Sequence, residues 1–317
     1  MTRACLAVVI LSSSAIGCAP VRHRVISTPD VADVVISPDG TRIIYASGTL
    51  PQLNVHLTGR LESAPLRGTQ NASTPFFSPD GSWVGFADMS DGTWKKVPTL
   101  GGAPVTICMF TGSPRGASWG PRGSIIFATN TPGIGLQRVL ASGGEPEVLT
   151  MPEPGFFHLW PEILPNGGAV LFTIASTSPS EEQQLAVLNL WTGEQTLLTR
   201  LPRLPAIPVG GSTPRYSPTG HIVFGVGDRL WAMGFDLDRL EVTGYSVPVL
   251  GGVLTKRSGV ADFSFSRNGA LVYVASAVAG TGVPADLERV VIGGGTQRHV
   301  ILVQNWFDDL QRRVPTN

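Results

Sequence analysis

The chain has little cysteine. Of its 317 residues only Cys5, Cys18 and Cys108 are cysteines, and two of them fall in the first eighteen positions. Cys108 is thus alone in the body of the chain, which excludes a disulfide-stapled scaffold. It lies in Val105-Thr106-Ile107-Cys108-Met109-Phe110, an expected outer strand, where a small buried hydrophobe is the expected role rather than a reactive thiol. The chain also lacks a charge of one sign: 23 Lys and Arg stand against 23 Asp and Glu. A nucleic-acid partner would call for a basic domain or stripe, so none is expected. Ala4 to Leu11 is an apolar run of eight residues, against about 20 needed to cross a bilayer. Helix signals are scarce before Asp308 to Val314, which reads as a short terminal helix.

Catalytic signatures are missing as well. The sequence has no His-Glu-x-x-His, no paired Cys-x-x-Cys, no phosphate-binding glycine loop followed by lysine and no kinase signature. Gly116-Ala117-Ser118-Trp119-Gly120 matches the Gly-x-Ser-x-Gly nucleophile elbow in letters only. That motif needs a strand-to-helix turn, whereas Ser118 falls in an expected inner strand with no helix after it. A non-enzyme is expected.

What the chain has is a repeat rich in turn formers, with 38 glycines and 26 prolines. Phe77-Ser78-Pro79-Asp80-Gly81 precedes the apolar strand Trp83-Val84-Gly85-Phe86, and the pattern returns with turn glycines at 40, 81, 123, 167, 220 and 269. Proline presets φ at the first central turn position, aspartate bonds the backbone ahead, and glycine supplies the positive φ that ends the turn. The period, about 41 to 53 residues of short alternating strands, predicts an all-β propeller of six four-stranded blades. Blade one is expected from Val31 to Leu66, two from Pro75 to Phe110, three from Ala117 to Leu149, four from Leu159 to Leu198, and five from Arg215 to Leu250. Ser176 to Gln184, with Glu181-Glu182, reads as an exposed insertion. Blade six starts at Asp262, with Leu287 to Ile292 and His299 to Gln304 as its outer strands after Gly293 to Gly295. The tail follows almost at once, so this blade reads as incomplete. Whether Val21 to Ser27 closes the ring is left open. The expected division is a signal over 1–18, a propeller over 19–304 and a tail over 305–317.

Seven residues before each turn glycine, the inner strand should begin beside the central channel. Asp33, Thr74, Gly116, Trp160, Thr213 and Asp262 stand there, with Arg115 and His158 close by. Asp33, Thr74, Arg115, His158, Thr213 and Asp262 are therefore the candidate ligand-binding residues. Ring closure would make blades one and six neighbours, so Asp33 and Asp262 could face each other. Close carboxylates bind a cation or share a proton, which makes these two the candidate metal ligands. Aspartates capping strand ends in channel water are the plainer reading, and His158 reads as a loop histidine holding one backbone hydrogen bond. The aromatics Phe76, Phe77, Trp119, Trp160, Trp231 and Phe265 read as core between blades.

Two resemblances add to this. Ser-Pro-Asp-Gly before an apolar strand resembles the WD40-like Pro-Asp repeat of TolB-type propellers. Segments including His158-Leu159-Trp160-Pro161, Phe235-Asp236-Leu237 and Asn305-Trp306-Phe307 are similar to the extracytoplasmic propeller of bacterial serine/threonine protein kinases, without the kinase. The first implies an envelope scaffold for a protein or peptide partner, the second a truncated sensor ectodomain. Six-bladed propellers that hydrolyse lactones hold calcium in the channel, which gives the rival reading of a calcium-dependent hydrolase. Those sites need about four oxygen ligands, and only two acids stand here. At the N-terminus, Arg3, the apolar run and Ala15-Ile16-Gly17-Cys18 resemble a bacterial lipoprotein signal. That resemblance implies a lipidated Cys18 and export to the periplasmic face of a membrane.

Overall fold

Each Ser-Pro-Asp-Gly turn folds around its serine. In the computed structural model the Ser78 hydroxyl donates to Asp80 Oδ1 at 2.5 Å and accepts from the Trp83 N–H at 2.9 Å, while Gly81 N–H closes the turn onto the Ser78 carbonyl. The turn at Ser37 repeats these bonds with Asp39, Arg42 and Gly40, and Ser266 bonds Asn268 and the Ala270 N–H. Ser37, Ser78, Ser217 and Ser266 are buried. A buried hydroxyl needs its hydrogen bonds made, and here they fix the turn. The six turn glycines have φ between 69° and 87°, the left-handed region that side chains disfavour.

The structure describes residues 21–28, 31–60, 62–178, 182–200, 213–256, 260–276 and 298–316. The first strand is β1 (Arg22–Thr28). Blade one follows as β2 (Ala32–Ile36), β3 (Arg42–Ser47), β4 (Gln52–Leu57) and β5 (Ser63–Gln70). Blade two has β6 (Ala72–Phe77), β7 (Trp83–Asp88), β8 (Thr93–Pro98) and β9 (Val105–Met109). Blade three has β10 (Pro114–Trp119), β11 (Ser124–Thr129), β12 (Gln137–Leu140) and a two-residue β13 (Glu147–Val148). Blade four is β14 (Phe156–Ile163), β15 (Ala169–Ser176), β16 (Gln184–Asn189) and β17 (Gln195–Arg200). Blade five is β18 (Arg215–Ser217), β19 (His221–Val226), β20 (Arg229–Asp236) and β21 (Glu241–Gly251). Each is an antiparallel meander, so the chain is an all-β six-bladed propeller.

Blade six corrects the sequence reading. Its order is β22 (Phe263–Phe265), β23 (Leu271–Val274), β24 (Arg298–Gln304) and then β1. His299 to Gln304 is the third strand, and the N-terminal strand is the fourth, paired from Arg22↔Gln304 to Thr28↔Arg298. The last blade is complete, because a strand from the other end of the described chain supplies its outer edge. Leu287 to Ile292 and Gly293 to Gly295 lie outside the described residues, as do residues 1–20 with the expected signal and Cys18, and Glu181 of the insertion.

Closure is fixed at more than one place. Arg24 donates to the carbonyls of Thr58 at 2.5 Å and Arg60 at 2.8 Å, tying β1 to blade one. The blade-six turn hooks the blade-one turn through Asn268 Nδ2 to the Asp39 carbonyl and Arg267 N–H to the Pro38 carbonyl, both 2.9 Å. The apolar core lies between blades, with one cluster at each junction. Trp94, Phe127 and Phe76 fill the junction of blades two and three; Ile26, Val31 and Val274 fill that of six and one. The tail forms the expected helix, α1 (Trp306–Arg313), with Asp308 and Asp309 in its first turn and Arg312 and Arg313 in its last, as the helix dipole favours. Trp306 stacks on Phe265 with ring centres 5.8 Å apart, and Leu310 and Val314 are buried against blades five and six. His221 donates from Nε2 to the Val314 carbonyl at 2.6 Å, pinning the end of the tail.

Candidate functional site

The inner strands of blades one to four share a bulge at the offset singled out in the sequence. Asp33, Thr74, Gly116 and Trp160 have φ of 57°, 53°, 96° and 55°, and the strand register shifts there in all four blades. A bulge re-aims the residues around it and is common at rims. Thr74 and Trp160 pay for this geometry with a positive φ that β-branched and bulky residues avoid. Gly116 is the one glycine of the four, and a Cβ there would come within 2.8 Å of Trp160 Cα.

These bulges ring a cavity of about 390 Å³ at the channel mouth opposite the Ser-Pro-Asp-Gly turns. Asp33, Thr74, Arg115, Trp160, Thr213 and Asp262 all line it, so five of the six candidate ligand-binding residues come together. His158 does not join them. It is buried in β14, where its ring packs on Phe172 with centres 4.9 Å apart and its Nδ1 meets Thr150 Oγ1 at 2.8 Å. Thr150 Oγ1 also accepts from the Leu136 N–H at 2.8 Å. The partner is thus a side-chain hydroxyl rather than the expected backbone group. Burial holds the His158 pKa down at about 4, which keeps the ring neutral.

Asp33 and Asp262 do meet, but Lys256 stands between them. Its Nζ is 2.9 Å from Asp262 Oδ1 and also bonds Asp33 Oδ1. Lys256 is delivered by a short excursion between blades five and six, where Thr255 bridges Ala261 and the Lys256 N–H bonds the Val260 carbonyl. The two acids then diverge. Burial opposes ionisation of Asp33, but Lys256 and the Thr74 N–H, 3.2 Å from Oδ2, outweigh it and hold its pKa below the ordinary value. Burial lifts Asp262 to about 6, Lys256 offsets only part of that, and the Asp33 charge adds to the rise. Burial also works against the Lys256 charge, yet its two carboxylates raise its pKa above the ordinary range. Nothing in local sequence spacing could place Lys256 here. The signal was only its position six residues ahead of Asp262.

Thr213 Oγ1 and Trp160 Nε1 are buried and make no hydrogen bond, while the Asp262 carboxylate takes the Asp33 backbone N–H as well as Lys256. Arg115 bonds only the carbonyl of Pro114, at 2.9 Å, and burial pulls its pKa below the ordinary value with no carboxylate acting on it. Deeper in the channel Arg215 pairs with Glu162 at 2.6 Å across blades four and five. Burial pushes the Glu162 carboxyl up, and Arg215 offsets part of the rise. Beyond that pair a cavity of about 600 Å³ opens at the turn end, lined by Val35, Phe77, Trp119, Ile163, Tyr216 and Phe265 among others. Phe76, Trp119 and Phe265 thus both pack between blades and face this end. Ser118 is an inner-strand residue whose Oγ accepts the Ile163 N–H at 2.9 Å, joining blades three and four. Cys108 is buried, and burial pushes its thiol up to about 11.

No family model and no curated protein matches the sequence. Solved structures do. TolB from Acinetobacter baumannii superposes with a TM-score of 0.54 at 17% identity, over 69% of this chain and 54% of that one. The chain therefore spans about half the length of that relative. A TolB from Agrobacterium tumefaciens gives 0.52 at 19% identity, over 74% of this chain and 87% of the other. An oligogalacturonate lyase in complex with manganese gives 0.53 at 10% identity, over 88% and 90%. The fold is that of a TolB-like β-propeller.

Within this TolB-like propeller a channel cation fits poorly. The two acids proposed to hold it already hold an ammonium, and among the described residues no three His, Cys, Asp or Glu side chains are grouped as ligands. A calcium ion takes about six to eight oxygens. It would have to displace Lys256 and find its further ligands elsewhere.

Proposed function

We propose that this chain is a non-catalytic binding scaffold of the bacterial cell envelope, holding a protein, peptide or small ligand at the mouth of its channel. One observation carries the reading: Arg115, on which no carboxylate acts, lines a cavity of about 390 Å³ together with Asp33, Thr74, Thr213 and Asp262. Ligand sites are typically preformed clefts of about 300–1,000 Å³ with a few convergent polar groups. The envelope address rests on Ala15-Ile16-Gly17-Cys18 and the apolar run before it. The test compares capture from an envelope extract by the full chain and by variants with Arg115→Ala or Thr213→Val. A partner held by the wild type and released by both mouth variants supports the scaffold. Capture indifferent to both variants removes the mouth from the reading.

The rival, a calcium-dependent hydrolase, predicts that calcium raises the unfolding midpoint of the wild-type protein, as any ligand selective for the folded state must. Lys256 between the acids favours no rise. A rise abolished by Asp33→Ala and by Asp262→Ala would reinstate the hydrolase. An open last blade would have supported the truncated-sensor reading, and β1 completes that blade.

A further inference from the structure

The turn end of the channel is built from two rings of equivalent positions, with one departure. Four residues before each turn glycine stand Ile36, Phe77, Trp119, Ile163, Tyr216 and Phe265, aliphatic or aromatic in every blade, and all of them line the cavity of about 600 Å³. Two residues before each glycine stand Pro38, Pro79, Pro121, Pro165 and Pro218, which line the same cavity. Blade six alone has Arg267 there. Ring closure explains part of this exception. The Arg267 N–H donates to the Pro38 carbonyl at 2.9 Å, a bond that proline could not make. Any other residue would supply that N–H, so closure leaves the guanidinium unexplained. The Arg267 side chain is exposed and enters no ion pair among the described residues. Asp39, on the turn it hooks, pairs with Arg42 at 3.8 Å instead. Arg215 and Glu162 neutralise each other on the channel side, and Arg122, next to the proline ring, lies over the Trp191 ring at 5.4 Å. The chamber is thus apolar and aromatic, with one uncommitted positive charge.

We propose that this chamber is a second ligand site, for a small aromatic monocarboxylate whose ring enters the apolar ring of side chains and whose carboxylate meets Arg267. The proposal goes beyond the polar mouth at the other end of the channel, and neither site depends on the other. Small-molecule sites are typically clefts of about 300–1,000 Å³ lined by hydrophobic and aromatic side chains, with a few polar groups to fix orientation. Phe77, Trp119, Tyr216 and Phe265 supply such a lining, and withdrawal of the ligand's apolar surface from water supplies most of the affinity. A guanidinium pairs a carboxylate through parallel N–H bonds that an uncharged amide does not reproduce. One guanidinium also matches a head group of one charge better than a phosphate monoester carrying close to two.

Calorimetric titration of the full chain tests this with 3-phenylpropionate, cinnamate and indole-3-acetate, the neutral amide of each, and acetate as the head group alone. The expected result is saturable binding of at least one aromatic acid, about fivefold or more tighter than its own amide, with no saturable binding of acetate. Arg267→Gln keeps the main-chain hook to Pro38 and should bring acid and amide to equal affinity. Arg122→Gln removes a cation of the same face whose side chain is turned onto Trp191, and should leave the preference for the acid intact. The acid and amide pairs carry the test on wild-type protein should a variant fold poorly. Equal binding of acid and amide by the wild type would overturn the proposal, as would a preference lost equally in both variants. Absence of saturable binding of any aromatic acid up to about 10 mM would overturn it too. None of these outcomes touches the polar mouth, which stands or falls on capture of a partner.

Discussion

At residue 158 the pH dependence of folding can be worked out with its sign. The folded protein holds this histidine near 4, below its ordinary value of 6.5, because burial disfavours the imidazolium. The unfolded chain therefore takes up the proton first. Stability present above the ordinary value is lost as pH falls from about 6.5 toward 4, by roughly 3 kcal/mol from this group. Asp262 works the other way: its folded pKa is raised to about 6, so its contribution is present at low pH and lost as pH rises through 6. The wild-type profile between these values is a difference of the two. His158→Gln should flatten the acid loss, measured as denaturant unfolding free energy at pH 7 and pH 4.5. An unchanged difference between those two pH values would show that His158 does not titrate as its burial requires. The sequence marked His158 as a candidate because it lies close to the offset that Trp160 occupies, but not that the side chain turns into the blade junction instead of the channel. Offset fixes where a backbone enters a ring; which way a side chain points at a bulge depends on its neighbours. Thr150 and Phe172 decide it here.

At the scale of elements, the turns were legible because everything that makes them is local. Ser-Pro-Asp-Gly carries its own hydrogen bonds within five residues, as does the charge order of α1. The fourth strand of blade six was illegible for the opposite reason. Its ladder joins Arg22 to Gln304, and no spacing within a repeat reports a pairing across the whole chain. That closure predicts a phenotype. Removing residues 1–28 should leave β24 as a bare edge and strip Ile26 from the cluster between blades six and one. An exposed edge invites pairing with another chain. Calorimetry should then give a broad transition at lower temperature, and light scattering a concentration-dependent association. Ile26→Ala keeps the strand and removes only side-chain packing, so it should cost about 2–5 kcal/mol with a single sharp transition. A truncated chain that unfolds like the wild type would mean that β1 contributes nothing to closure.

Across the whole molecule, the same lysine closes the ring at its polar mouth and decides what that mouth can hold. Lys256 reaches Asp33 of blade one and Asp262 of blade six, so the ion triad spans the junction that β1 spans at the rim. Replacing it by methionine leaves two carboxylates facing each other without a counter-charge. Breaking a buried pair in this way costs about 3–5 kcal/mol, discounted here because the Lys256 side chain keeps 22% of its exposure. The loss should shrink below pH 6, where Asp262 takes a proton. It should also shrink on adding calcium, because two freed carboxylates are the start of a cation site. Unfolding midpoints for wild type and Lys256→Met, each with and without calcium, separate the possibilities. A rise confined to the variant means that the lysine excludes the cation from the mouth. An equal rise in both would place the cation elsewhere in the protein and free the triad from any part in excluding it.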